Sequence, residues 1–324
     1  QAPLHAAPGG PCAPAAAAAA AGLHELAQTV RFVARPRIVI VGGEDGASAL
    51  DTTEVFDVAS MKFAPGPRLA SRRAGCATAQ LDARRAIVVG GVDGPNPLDT
   101  TDVLDLATMA FSSGPRMRTR RNLVAAAAIS DRYALVVGGA GAAAGGQRLG
   151  STEVLSSEPM TFTQGPTMAS RRSSCAVVRL GERHLLVIGG FDGSSSLETT
   201  ELLDLATMSF SAGPRMSTRR RGCAAALLDG SGVVVVAGGI AEGNERLDST
   251  ELLSLSSMAF SPGPRMSTKR SGCAAARLDS QRLLVCGGFD GERQLDSTDL
   301  FDLGALCFSP GPRMRARRAA CAAV

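Results

Sequence analysis

The sequence predicts an all-β fold made of six copies of one unit, and three observations predict it. A Gly-Gly pair recurs at 42/43, 90/91, 138/139, 189/190, 238/239 and 287/288, at intervals of 48, 48, 51, 49 and 49 residues. Before each pair stands an apolar run such as RIVIV, LLVI or VVVVA, and after each comes a polar loop. Then follow, in fixed order, TTEVFD, TTDVLD, STEVLS, TTELLD, STELLS or STDLFD, and MKF, MAF, MTF, MSF, MAF or LCF. A fixed period decides the architecture before any argument about single residues.

Each copy holds four short β-type segments separated by Gly, Asp, Ser or Pro. In the fifth copy they read GCAAALL, GVVVVAGG, STELLSL and SMAFSPG. A four-stranded antiparallel sheet cannot bury both faces alone. Six of them packed radially bury one another, so the prediction is a six-bladed β-propeller. The repeats run near 37–71, 72–119, 120–170, 171–218, 219–268 and 269–316. Residues 317–324 supply a closing strand, and an Ala/Pro-rich extension occupies 1–36. RRAACAAV at the end of the chain either pairs with RIVIV and closes the ring, or begins a seventh blade while QTVRFVA (28–34) supplies the missing strand. Six blades closed by the C-terminal innermost strand is the expectation, because it leaves no free edge.

These residues resemble kelch repeats. The resemblance rests on the period, the Gly-Gly that ends a strand, the acid-apolar-apolar element and the aromatic residue after it, and it covers about residues 37–324. Kelch repeats usually carry a Tyr after the acid and a Trp one strand later. Here those places hold Phe56, Leu104, Leu155, Leu203, Leu253 and Phe301, and then Phe63, Phe111, Phe162, Phe210, Phe260 and Phe308. Phe and Leu fill the same apolar space without the polar handle. A WD40 propeller is disfavoured by the lack of its Trp-Asp signature.

Strand parity places the loops after Gly-Gly and the GPRMSTRR-type links on one face of the disc. The loops vary most: EDGASALD, VDGPNPLD, AGAAAGGQRLG, FDGSSSLE, IAEGNERLD and FDGERQLD. Varied loops on a repeated scaffold are where such folds display a binding surface. Phe191 and Phe289 in these loops either offer apolar contact to a partner or cover the Gly-Gly turn. Each link carries an adjacent pair of basic residues. The second ones, Arg73, Arg121, Arg172, Arg220, Arg270 and Arg318, are expected to ring the channel mouth, with Arg72, Arg120, Arg171, Arg219, Lys269 and Arg317 outside them. Against them stand acids on the third strand: Glu54, Asp102, Glu153, Glu201, Glu251 and Asp299. Five copies carry a further acid, Asp51, Asp99, Glu198, Asp248 or Asp296. One acid per basic residue is what ion pairing between blades requires, so one basic ring is expected to be structural and the other free. The second arginines are assigned here to the partner. Gly42, Gly43, Gly90, Gly91, Gly138, Gly139, Gly189, Gly190, Gly238, Gly239, Gly287 and Gly288, with the third-strand acids, are assigned to structure. Some kelch-like ubiquitin-ligase adaptors hold acidic peptides with arginines at this position, so the resemblance implies an acidic protein segment as partner.

Cys76, Cys175, Cys223, Cys273 and Cys321 hold one place in successive inner strands, with Val124 standing in once. They read as packing residues of a reducing compartment, hence a cytoplasmic expectation. A redox role would need thiol pKa values lowered by the neighbouring arginines. No metal and no cofactor is expected: of three histidines only His184, in a short turn, lies in the repeats, and Tyr133 is the one tyrosine. GGAGAAAGG (138–146) imitates a dinucleotide loop but has no helix behind it. A net charge of +4 is small for a nucleic-acid binder, and no apolar run approaches the ~18 residues of a membrane span. The expectation is a non-enzymatic protein-interaction module, as in adaptors or scaffolds. A propeller enzyme or small-anion binder using the same face is the alternative.

Overall fold

The computed structural model describes residues 36–142 and 146–324. QTVRFVA lies outside the described residues, as does the Ala-rich run. Six four-stranded antiparallel sheets form an all-β, six-bladed propeller. A two-stranded ribbon, Val92–Asp93 with Asn96–Pro97, decorates the second blade. In the fifth blade the strands run outwards from Ala224–Leu228 through Val233–Ala237 and Thr250–Ser254 to Ala259–Pro262.

The strand sequences follow from where each strand sits. The second strand of a blade lies between two neighbouring blades and is buried on both faces, so it reads as an unbroken apolar run rather than an alternation. The outermost strand faces solvent on most sides and is short and mixed. The apolar residue of the third strand stands directly opposite the phenylalanine of the outermost one, as in Leu253 with Phe260. Where both are Phe the rings touch, 4.8 Å between the centroids of Phe56 and Phe63 and 5.0 Å for Phe301 and Phe308. These two repeated places are thus one cross-strand pair, filled here without a polar group.

Each of the six apolar clusters straddles one interface between blades. Ile38, Ile40 and Phe56 of the first blade pack with Leu284, Cys286 and Met314 of the sixth. Their neighbours Val39 and Val41 point the other way, against Ala86, Val88 and Leu104 of the second. The first blade obtains its innermost strand from the end of the chain. Ala323 pairs with Ile40 and Ala322 with Val41, and Val39 and Val324 exchange backbone bonds of 2.6 and 3.1 Å. The six-blade closure is the one observed.

The first glycine of each Gly-Gly pair turns the chain off the second strand at a φ of +58° to +65°. Space forbids a side chain there as firmly as φ does. A Cβ on Gly238 would sit 2.3 Å from the carbonyl oxygen of Arg270, in the link to the next blade. Gly238→Ala is expected to cost about 1–3 kcal/mol in denaturant unfolding. Gly230→Ala is the control: its φ is +82° but no atom lies within 4 Å of the added Cβ, so it should cost less.

Candidate functional site

The second arginine of each link is not at the channel mouth. Arg73, Arg121, Arg172, Arg220, Arg270 and Arg318 are 0–1% exposed and rank among the most deeply buried side chains. Arg220 shows the arrangement. Its backbone belongs to the fourth blade: its N–H donates to Leu197 O (3.0 Å) and its carbonyl accepts from Gly190 N (2.8 Å). Its side chain belongs to the fifth. Nε donates to Glu251 (3.2 Å), Nη1 to the carbonyls of Gly238 and Ser249 (3.0 and 2.8 Å), and Nη2 to Ser249 Oγ (3.1 Å). The other five repeat this, and Arg318 does so across the chain ends, through Glu54, Gly42 and Thr52. A guanidinium enclosed in this way has few donors left for a partner. The assignment of these six arginines to partner binding is therefore corrected: the buried ring rivets blade to blade, and the third-strand acids hold it.

The residues around the rivet form a short code that the sequence displays and that sequence reasoning passed over. In TTE, STE, TTD or STD, the first hydroxyl accepts from the arginine. The second, always Thr, donates to the proline carbonyl of the following link, as Thr250 does to Pro264 O (2.7 Å). The acid closes the ion pair. Glutamate reaches further than aspartate: Glu251 also accepts the N–H groups of Ser217 and Thr218, at 2.7 and 3.1 Å.

The first basic residues form an outer ring, in which Arg219 pairs with Glu198 (3.1 Å) and Lys269 with Glu245 (3.8 Å). Arg72, Arg120, Arg171, Lys269 and Arg317 are exposed and Arg219 is half-buried. Among the described residues, Arg120, Arg171 and Arg317 have no carboxylate within 4.0 Å. A third set, the arginine of Gly-Pro-Arg, pairs with the acid before the hydroxyls: Arg68 with Asp51, Arg116 with Asp99, Arg215 with Glu198, Arg265 with Asp248 and Arg313 with Asp296. The third blade lacks both partners at once, with Gly150 for the acid and Thr167 for the arginine. These pairs are open to solvent and contribute little stability.

At the centre, six residues at a φ of +50° to +66° face one another: Gly75, Leu123, Ser174, Gly222, Gly272 and Ala320. Backbone bonds run from each to the next around the axis. Five are 2.7–2.8 Å long, and one of 3.4 Å, from Val124 N to Gly75 O, completes the circle. Beneath this belt lies a chamber of about 110 Å³ lined by Val124 and the five repeated cysteines. All five are free and buried. Burial raises their pKa, against the pull of the adjacent arginine, to about 11 for Cys76 and Cys321 and about 12 for Cys175, Cys223 and Cys273. The lowered pKa that a redox role requires is the opposite of what is found. Among the described residues no group of three or more His, Cys, Asp and Glu is placed to hold a metal ion. His184 begins a strand rather than occupying a turn, with Nε2 3.9 Å from Asp204. Residues 143–145 of GGAGAAAGG lie outside the described residues, and Arg148 just after them bridges to Ala140 in strand fashion.

Above the belt opens the channel mouth, a dish of about 410 Å³ with Phe191 and Phe289 among its lining residues. Two arginines outside both predicted rings line it, Arg148 and Arg221, and a third, Arg246, lies beside it over Phe289. The guanidinium of Arg148 lies 5.1 Å from the centroid of Phe191 and that of Arg221 4.5 Å from the same ring, while Arg246 lies 5.3 Å from Phe289. Arg148 and Arg246 occupy one loop position in the third and fifth blades, and each reaches over the phenylalanine of the next blade. The same position holds Ala49, Pro97, Ser196 and Gln294 elsewhere. Arg221 is the third arginine of TRRRGC, where the other links have Ala, Asn or Ser. Its pKa is lowered by burial and by the charges of Arg246 and Arg148. Comparing the loops copy against copy, rather than searching for repeated residues, would have found all three.

No family model matches the chain, and no curated protein matches it. Among the described residues no helix is long and apolar enough to cross a membrane.

Two outcomes test this placement. Arg220→Met is expected to lose about 3–5 kcal/mol of stability in denaturant titration, as removal of one partner from a buried pair does. Arg219→Met, at the half-buried neighbour, should change it by about 0.5 kcal/mol or less. The thiols give a pH dependence. Their folded pKa values lie above the unfolded value, so their contribution is complete below pH 9.0 and is lost as pH rises towards 12. Cys223→Val, which copies Val124, should make the fall between those pH values shallower by up to about 1.4 kcal/mol per pH unit.

Proposed function

We propose that the chain is a kelch-type propeller that serves as a protein-interaction module, in the manner of an adaptor or scaffold, and that it docks an acidic segment of a partner on the channel-mouth face. One observation carries the reading. Arg148, Arg221 and Arg246 are gathered at the mouth with no carboxylate within 4.0 Å among the described residues. Like charges held together lower stability, and an anionic partner removes that cost. The dish also has the mixed character of a docking surface: Phe191 and Phe289 provide apolar area, and the exposed Arg72, Arg120, Arg171, Lys269 and Arg317 a surrounding positive field.

The kelch reading draws support from the parts each repeat plays: Gly-Gly turning the second strand, the acid holding the link arginine, and the aromatic opposite the third strand. The free, buried thiols fit a reducing compartment such as the cytoplasm. In this reading the protein performs no reaction of its own.

The test is affinity capture with mass spectrometry, comparing the full chain with its Arg148→Glu, Arg221→Glu variant. Both sites are half-buried rather than core, so the variant should unfold at a similar denaturant concentration. The reading expects a reproducible set of proteins that a soluble polyglutamate displaces and that the variant does not retain. An identical set on both forms, indifferent to polyglutamate, contradicts it.

A further inference from the structure

We propose that Arg148, Arg221 and Arg246 form a subsite for a phosphoryl dianion, and that the group it takes is a phosphorylated side chain on the docked partner segment. The inference rests on the docking reading and adds to it the chemistry of the ligand.

Two of the three guanidiniums are held by one residue. Asn244 accepts from Arg221 Nη2 through its side-chain oxygen and from Arg246 Nη1 through its backbone carbonyl. Arg148 is anchored likewise by the carbonyl of Gly146. Each also lies over an aromatic ring, Arg148 and Arg221 over Phe191 and Arg246 over Phe289, which restricts where the guanidiniums can move. The donors are therefore oriented before any ligand arrives, which lowers the ordering cost of binding. They are also incompletely used: the Nε atoms of Arg148 and Arg246 are enclosed without a hydrogen-bond partner. A buried donor left unmade is costly, and native structures rarely keep one without a reason.

Charge balance selects the ligand. The nearby acids are engaged elsewhere, Glu242 with Arg219 and Glu245 with Lys269. Glu44 lines the same dish, and it has no ion pair with any of the three among the described residues. A carboxylate brings one charge and two oxygens and leaves most of the cluster uncompensated. A phosphoryl group brings a charge near −2 and three acceptor oxygens, which suits several arginine forks at once. The belt of backbone bonds around Gly222 and Gly272 floors the dish, so the group is received from the mouth.

The experiment is calorimetric titration of the full chain at constant ionic strength. The probes are inorganic phosphate, acetate, and a short glycine-flanked peptide carrying phosphoserine, serine or glutamate at its centre. Phosphate should bind saturably with one site, acetate should not, and the phosphoserine peptide should compete with phosphate. Arg221→Gln and Arg246→Gln should each weaken phosphate about ten-fold or more. Arg265→Gln, an exposed arginine paired with Asp248, should leave it unchanged. Unsaturable phosphate binding, or binding indifferent to Arg221→Gln and Arg246→Gln, overturns the subsite. Equal affinity for the phosphoserine and glutamate peptides overturns phosphate selectivity while the acidic-segment reading stands. Phosphate binding without competition from the phosphoserine peptide overturns the partner segment as the source of the group.

Discussion

The structure depends on a guanidinium whose backbone belongs to one blade and whose side chain belongs to the next. A β-sheet of four short strands has too little area to stand alone, and apolar packing between two twisted sheets fixes their distance better than their relative rotation. The buried arginine supplies the missing constraint. Four or more directed hydrogen bonds reach a carboxylate, two carbonyls and a hydroxyl at set positions on the neighbouring blade. Burying such a charge is unfavourable unless it is fully paired, so the arrangement tolerates little drift. Six copies turn a chain of nearest-neighbour contacts into a closed circle, with Arg318 and the strand Ala322–Ala323 joining the last blade to the first.

The same constraint decides which residues are left to set the charge of the channel mouth. Because the repeated arginines spend their donors on the scaffold, the chemistry of the mouth falls to residues that break the repeat. Arg148 and Arg246 stand at a loop position that is otherwise Ala, Pro, Ser or Gln, and Arg221 at a link position that is otherwise small or Asn. The charge cluster they form leans towards the third to sixth blades, while Glu44 and the apolar Val92 mark the other side. A six-fold scaffold thus carries a one-sided site.

Much of this was legible in the sequence. Gly-Gly at a regular period, each pair after an apolar run too short for a helix and too continuous for a half-exposed strand, fixes blade number and strand order. Closure by RRAACAAV was one of two readings, and only pairing with Ile40 and Val41 separates them. The choice between the two basic rings was not legible. Arg219 and Arg220 are adjacent, identical and equally periodic, and the strand parity that puts one side chain inside a blade interface depends on the conformation of the link. Repetition itself misled, since a residue repeated six times reads as a feature of function when it is the strongest signature of architecture. The thiol chamber shows the same limit from another side: adjacency to arginine in sequence suggests a lowered pKa, whereas the loss of solvent at the axis outweighs that charge.

The most direct test of the account is a double-mutant cycle joining the two ends of the chain, with Arg318→Met, Glu54→Gln and the double variant measured by denaturant unfolding. The account predicts that either single change is strongly destabilising, and that the double change falls short of the sum by about 1.5 kcal/mol or more. Additive effects, or single changes within about 0.5 kcal/mol of the parent, would show that the blades are held by apolar packing alone and that the buried ring is not the element the propeller depends on.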